Sequence, residues 1–411
     1  SGHQDTAPAA PSSSRDAAPP SAGQHGADPM SGQLPTTELV ADAIIVGAGL
    51  AGATAAWQLS VLAPHARVRI IEARERVGGR LVNTDGSADL GAAWTWPSND
   101  KHLAKAARAA DVRSVPQWKD GSAVVERSGG ECAASRTPFT EERRFMGGAV
   151  SVVHGLLKRA SATVETGMAV DRIALLADGT MEVGVRSGAT GAEQTLVART
   201  VIVAAPPRLV AQRITFDPAL DESVADAQRR TPIWMSDTAK VVMSYDDAFW
   251  REAGKSGSAF SQRGPLAQIW DNTDEEMGSR VGGSLAGFCF GEDARALARG
   301  GAGAEAVLSR ARAQLKNLFG FEASKAQAVT AQSWSSEEWT HVEPSAPEAP
   351  ADSDLAFGSP LLRQSAFGGR LVFAGTETED ELGHMEGAVV SGMRTAQEVS
   401  STIAVSGGVS L

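Results

Sequence analysis

At 411 residues the chain is long enough for two or three domains, and 42% hydrophobic with 21% charged residues is ordinary for a soluble globular protein. A formal net charge of −11 argues against nucleic acid or an anionic membrane as partner and mildly favours cationic small molecules. The two cysteines, Cys132 and Cys289, and seven scattered histidines form no metal-ligand pattern, and no apolar run nears the roughly 18 residues of a membrane span, so the chain reads as a cytoplasmic protein with reduced thiols.

Residues 1–38 are rich in Ala, Pro, Ser and Gly and read as a disordered leader without the basic start and apolar centre of a secretory signal. Order begins at residue 39. Asp42-Ala43-Ile44-Ile45-Val46 is a short apolar strand that runs into Gly47-Ala48-Gly49-Leu50-Ala51-Gly52. Alone, Gly-x-Gly-x-x-Gly is equally a glycine-rich turn. Here an Ala-rich helix and a second apolar strand, Arg67–Ile71, follow, and the strand ends in Glu72, twenty residues after Gly52. This is the context of a dinucleotide site. Gly47 permits the tight turn, Gly49 a close approach of pyrophosphate, and Gly52 close helix packing. The helix start at Leu50 and Ala51 offers N–H groups to phosphate, and Glu72, followed by Ala73 and Arg74, is placed to accept the ribose hydroxyls. The acid would repel a 2′-phosphate.

Glu75-Arg76-Val77-Gly78-Gly79-Arg80 forms a second glycine loop, flanked by arginines, beside the first. It reads either as an ordinary turn or as a phosphate contact. Ala88-Asp89-Leu90-Gly91-Ala92-Ala93-Trp94 is a strand entering a small-residue turn that a flat ring could approach. In this order the motifs resemble the flavin-containing amine oxidase family, which includes monoamine, polyamine and L-amino-acid oxidases.

Beyond Trp94, residues 99–114 read as a helix with Leu103, Ala106, Ala107 and Ala110 on one face, and 119–138 as a polar, Gly-rich region. Arg144–Gly148 with the apolar helix Val150–Leu157 resembles the family's return to the cofactor domain. Only about fifty residues separate Trp94 from Arg144, so the resemblance implies a trimmed substrate domain. Residues 162–205 alternate and carry turn signals, as β-hairpins do. By resemblance, Val170 contacts the adenine end and Ala205, in the strand that stops at Pro206-Pro207, touches the cofactor.

Thr238–Tyr245 is an apolar strand with a lysine inside it. Lys240 is either a snorkelling residue of an edge strand or a functional group. The resemblance implies the latter, a lysine that holds a water near flavin N5 and helps oxygen react. Residues 303–319 read as an amphipathic helix with Ala306, Val307, Ala311, Leu315 and Leu318 as its apolar set. Ser333–Trp339 resembles the family's tryptophan segment, which implies Trp334 against the flavin and Trp339 near the pocket; both are equally readable as core tryptophans. Residues 343–360 read as a loop.

Arg370–Thr378 is a strand ending in a polar turn, and Gly383-His384-Met385-Glu386-Gly387-Ala388 opens an apolar helix. This resembles the family's C-terminal cradle for the ribityl and pyrophosphate of FAD, implying contacts from Gly375, Thr376, Gly383, His384, Met385 and Ala388. His384 stands where one tyrosine of the family's substrate cage would be. It reads either as a polar group that orients substrate or as a structural histidine.

The resemblance thus implies an α/β fold, with a Rossmann-like FAD domain assembled from 39–118, 144–206 and 362–400. It is interleaved with a smaller α+β substrate domain from 119–143 and 207–361 built on a mixed sheet, and 401–411 form a tail. It implies oxidation of the carbon next to an amine nitrogen to an imine, with O2 as acceptor and H2O2, carbonyl and amine or ammonia as products. No cysteine occurs at 334–345, where the family's flavin tether would lie, so FAD is expected to be non-covalent. Lys240, Trp334 and His384 are the catalytic candidates. A desaturase or protoporphyrinogen-oxidase-like enzyme acting on C–C bonds, or a flavin-binding protein without turnover, are the alternatives. The sequence names neither the amine nor the oligomeric state, with a homodimer as one option.

Overall fold

The computed structural model describes residues 39–84, 88–136, 141–273, 282–342, 357–380 and 383–407. The expected leader, residues 343–356 of the expected loop and the last four residues of the tail lie outside them. The fold is mixed α/β, with one eight-stranded, one seven-stranded and one three-stranded sheet among the described residues.

The strand ahead of the glycines, Leu39–Val46, has its central residues fully buried and runs parallel to both of its neighbours, Val68–Ile71 and Glu193–Val203. Glu193–Val203 serves two pairings. Its first half closes an antiparallel meander with Met181–Ser187 and Met168–Leu175, and its second half runs between Leu39–Val46 and Leu371–Phe373. Two distant parts of the chain, the first glycine turn and the Gly375 turn, are thereby brought to the same ends of the two strands that flank Glu193–Val203. Ligands of open parallel sheets bind at such strand ends. The helix Leu50–Leu62 is rich in Ala and Leu, good helix formers, and apolar around most of its circumference. It is accordingly buried, sharing one core with this sheet and with the C-terminal helix Met385–Gly407. That helix continues past the point where a loose tail was expected.

The seven-stranded sheet runs in the order Ala328–Ser333, Thr238–Tyr245, Gly283–Phe290, Gln268–Asp271, Lys255–Ser261, Ser122–Glu126 and Cys132–Ser135. The last two lie in the polar, Gly-rich region 119–138, where the sequence shows no strand pattern. Ala123 and Val124 are buried as a short edge hairpin, and a stretch of so few apolar residues carries little alternation to read. Thr238–Tyr245 is a central strand, paired on both sides, and not the edge strand that would let a lysine snorkel. Its two faces differ, as the period of two requires. Ala239, Val241, Met243 and Tyr245 pack with Val307, Ala311, Leu315 and Leu318 of the helix Gly301–Phe319. Ala306, expected on that apolar face, is exposed because it lies one residue, about 100°, from the Val307 stripe. Val242 belongs to the opposite face with Leu90 and Trp270, and Lys240 shares that face.

The three-stranded sheet Trp94–Thr95, Arg143–Phe145 and Ser114–Pro116 lies beside the helix Lys101–Ala109, whose Leu103, Ala106 and Ala107 are buried as expected. Among the described residues no helix is long and apolar enough to cross a membrane, and no group of three His, Cys, Asp or Glu side chains is placed to hold a metal ion.

Candidate active site

A cavity of about 550 Å³ is lined by residues from both large sheets and from the C-terminal helix. One end is built by the first glycine turn. Gly47 has φ +106°, a conformation that favours glycine, and Gly47, Gly49, Leu50 and Ala51 all line the wall. Gly52 does not. A Cβ there would stand 2.0 Å from the Gly47 carbonyl oxygen, so Gly52 lets the helix close on the turn and contacts no ligand space. Gly52, grouped with the cofactor-binding residues for its packing role, lies behind the turn and outside the cavity lining. The second glycine loop faces the first through a Gly49–Gly78 bridge, and a Cβ on Gly79 would come within 3.2 Å of the Gly49 Cα. Gly79 and Arg80 line the cavity with them.

Glu72 is buried in this wall. Its two carboxylate oxygens accept the Ala48 N–H (2.8 Å) and the Arg74 N–H (2.9 Å), which fixes its orientation and leaves lone pairs for a diol. Ala73, Val170 and Ala205 line the same side, together with Met168, Leu209, Val210 and Ile214. The Arg213 guanidinium stands 5.4 Å over the Trp339 ring. Arg74 is paired with Glu337 and donates to Thr340 Oγ1 at 2.8 Å. Sequence reasoning missed Arg213 because its helix, Pro207–Arg213, carries no motif.

The Gly375 turn and the start of the C-terminal helix form the facing wall, with Gly375, Thr376, Gly383, His384, Met385 and Ala388 all lining it. Glu377 is fully buried and clamped by Arg80, whose Nη1 and Nη2 donate to its oxygens at 2.6 and 3.0 Å. The Trp234 N–H also donates to Glu377 (3.3 Å), so one carboxylate ties the second glycine loop to the C-terminal turn and to the Trp234 segment.

Gly91, Ala92, Ala93, Trp94, Trp334 and Lys240 line the other end. Trp334 is buried and its Nε1 donates to the Leu90 carbonyl at 3.3 Å. The Lys240 Nζ donates to the Gly91 carbonyl and lies 5.1 and 5.3 Å from the Trp270 and Phe288 ring centres. Burial pushes its ammonium down to about 8, Asp89 opposes that shift and Arg144 adds to it. His384 is exposed, stacks on Trp96 (ring centres 5.5 Å apart, 25° between planes) and meets Trp234 edge-on at 5.9 Å. Asp100 holds Trp96 in place by accepting its N–H (2.7 Å) and the Thr95 hydroxyl (2.8 Å); burial raises the Asp100 carboxyl above the usual range. Trp96, Trp234, Phe288 and Phe290 also line this end. None was singled out from the sequence, although Trp94-Thr95-Trp96 directly after the small-residue turn was a usable sign.

The sole tyrosine, Tyr245, faces the opposite core and donates to the Ala323 carbonyl. Cys289 is buried, with its thiol pushed up to about 12 by burial, Cys132 is exposed, and neither lines the cavity.

Residues 135–400 match the family described as flavin containing amine oxidoreductase, and residues 45–109 match an NAD(P)-binding Rossmann-like domain. The first match alone covers more than half of the chain, and the chain belongs to the flavin containing amine oxidoreductase family. A Danio rerio amine oxidase (flavin-containing) is 29% identical over 64% of this chain and 48% of its own length, so the match spans about half of that relative. A Mycobacterium tuberculosis protein, provisionally named a flavin-containing monoamine oxidase, is 27% identical over 88% of this chain and 97% of its own. In fold, a putrescine oxidase bound to putrescine superposes with a TM-score of 0.71 at 20% identity, covering 88% of this chain and 99% of that one.

A flavin dinucleotide fits the residues present. Two glycine loops approach each other without side chains between them, two helix N-termini open on the cavity, and a buried acid stands at one end.

Proposed function

We propose that the protein is an FAD-dependent oxidase of amines. The observation that supports this best is a single cavity shared by a dinucleotide turn, a second helix start and a buried lysine among aromatic rings. A flavin held there would supply two-electron oxidation of the carbon bonded to an amine nitrogen, with dioxygen as the final acceptor and hydrogen peroxide as its product. The resulting imine is hydrolysed by water to a carbonyl and an amine or ammonia.

The chain's own residues then have separate tasks. Gly47, Gly49, Leu50 and Ala51 would receive pyrophosphate with backbone N–H groups of the first helical turn. Glu72, held by two backbone donors, would accept the ribose hydroxyls. The Gly375 turn and Met385 would receive the flavin side of the same cofactor. Lys240 would hold a hydrogen-bonding group, water or dioxygen, near the reacting face, and Trp334 would keep that face dry. His384 would orient the incoming amine.

We read the cofactor as non-covalent because no thiol lines the cavity among the described residues. Acid precipitation is therefore expected to leave all flavin colour in the supernatant; colour in the pellet would contradict this. His384→Ala is expected to lower turnover by about ten- to a hundredfold at unchanged flavin content, the range for a lost positioning or proton-transfer group. Unchanged turnover would remove His384 from the mechanism. The test of the whole reading is peroxide release across primary amines, polyamines and amino acids. A desaturase acting on C–C bonds, or a flavin carrier, would give none.

A further inference from the structure

We propose that residues 334–340 form a latched strap along the cavity, and that release of its latch at Arg74 and Arg213 sets how fast the flavin cofactor enters and leaves. This rests on the flavin reading of the cavity and adds a gate to it.

Three observations carry the inference. The first is where the strap is rooted. It continues the edge strand Ala328–Ser333 of the seven-stranded sheet. The Ser333 hydroxyl donates to the Ala294 carbonyl (2.8 Å), and the Trp334 N–H donates to the Thr238 carbonyl (2.9 Å). Trp334 is buried there and lines the cavity with Gly91 and Lys240.

The second is where the strap ends. Trp339 and Thr340 also line the cavity, and groups beyond the eight-stranded sheet hold them. Arg74 follows the strand Val68–Ile71 and lies two residues past Glu72. Its Nε donates to Glu337 at 3.2 Å, and its Nη2 donates to Glu337 and to the buried Thr340 hydroxyl (2.8 Å). Arg213 ends the helix entered from Glu193–Val203. Its guanidinium covers the Trp339 ring at 5.4 Å and stands 3.8 Å from the Glu338 carboxylate. One short segment thus crosses from one large sheet to the other along a wall of the cavity.

The third is the strap's own shape. The Thr340 and His341 N–H groups both donate to the Glu337 carbonyl (2.9 and 2.7 Å), so the chain folds back at Glu337 and presents that carboxylate to Arg74. A compact turn whose far end is held through side chains can open as a unit.

The Arg74–Glu337 and Arg213–Trp339 contacts join protein groups to one another, and Glu337 itself lies outside the cavity lining. Weakening them populates the open strap without removing a contact to the cofactor. Entry and exit both pass through the open strap. Both rates therefore rise together, and affinity is kept as long as the closed strap still predominates.

The test uses the full-length protein. FAD release from the diluted holoprotein and FAD uptake by the apoprotein are each followed by flavin fluorescence. Glu337→Ala is expected to raise both rates about tenfold, the scale of a lost charge-assisted hydrogen bond, with Kd within about threefold of the unaltered value. Glu337→Gln, which keeps one acceptor, is expected to raise both about threefold. Circular dichroism shows which variants are folded, and Glu337→Gln, nearly equal in size, decides the matter if Glu337→Ala is not. Faster release with unchanged uptake would make Glu337 an ordinary binding contact and overturn the gate. Rates within about twofold of the unaltered protein in both variants would overturn it as well. An unaltered apoprotein that takes up no FAD would overturn the flavin reading, and the proposal with it.

Discussion

Replacing Lys240 by methionine is expected to slow reoxidation of the reduced protein by dioxygen about a hundredfold, the loss typical of one pre-oriented group that meets developing negative charge. Anaerobic reduction by amine and flavin content are expected to change by less than about threefold. The basis is geometric. Lys240 is buried on the cavity face of a central strand, held by the Gly91 carbonyl with two rings beside it. Its charge is the property that matters. Burial lowers the ammonium to about 8, Asp89 partly restores it, and Arg144 opposes Asp89. Reoxidation should therefore decline as pH rises through about 8, because the charged form is lost there. In Lys240→Met that decline should vanish.

The same group affects stability with a definite sign. Its folded value lies below the ordinary 10.5, so the unfolded chain binds more protons between about 8 and 10.5. The unaltered protein should gain stability with pH across that window, and Lys240→Met should lack the gain. Stopped-flow reoxidation against pH and thermal unfolding at pH 7 and 10 check the two claims separately. Reoxidation at the unaltered rate would remove Lys240 from the oxygen step.

The second large effect is expected at Glu377. This carboxylate has no exposure to solvent and receives Arg80 through two hydrogen bonds and Trp234 through one. Glu377→Ala leaves the Arg80 guanidinium without its carboxylate in a wall of the cavity, with the Trp234 carbonyl (3.2 Å) still accepting from it. Breaking a buried pair on one side costs about 3–5 kcal/mol, and the lower end applies because Arg80 is a quarter exposed. Urea unfolding of the apoprotein should show that loss. Flavin dissociation should also rise, because the second glycine loop and the C-terminal turn are tied through this one residue. Glu377→Gln should recover part of both. A loss under about 0.5 kcal/mol would show that the pair is not structural.

The contrast between what the sequence made legible and what it did not is a matter of contact range. The strand, glycine turn, helix, strand and acid of residues 42–72 are local, and each residue type there is dictated by backbone geometry that a sequence displays. The Gly375–Ala388 stretch is local in the same way. The Arg80–Glu377 clamp, the Arg213–Trp339 contact and the stack of His384 on Trp96 are not. They join residues whose proximity depends on sheet register, such as Lys240 opposite Phe288. Lys240 itself was ambiguous for that reason. A lysine within an apolar run cannot be told from an edge-strand residue until both neighbouring strands are placed. The hairpin at 122–135 was hidden differently, since its pairing with Lys255–Ser261 supplies the burial that its own sequence does not announce. Gly52 is a fingerprint residue of another kind. It belongs to the fingerprint, yet its place is under the turn and not at the ligand surface.

A flavin site that oxidises amines has one direct spectroscopic signature. The most direct measurement is to mix the purified holoprotein with phenethylamine in the absence of oxygen and follow the visible absorption of the flavin. The absorption is expected to bleach, and admitting air is expected to restore it with release of peroxide. A protein that carries flavin which neither this amine nor any other in the panel bleaches would contradict it.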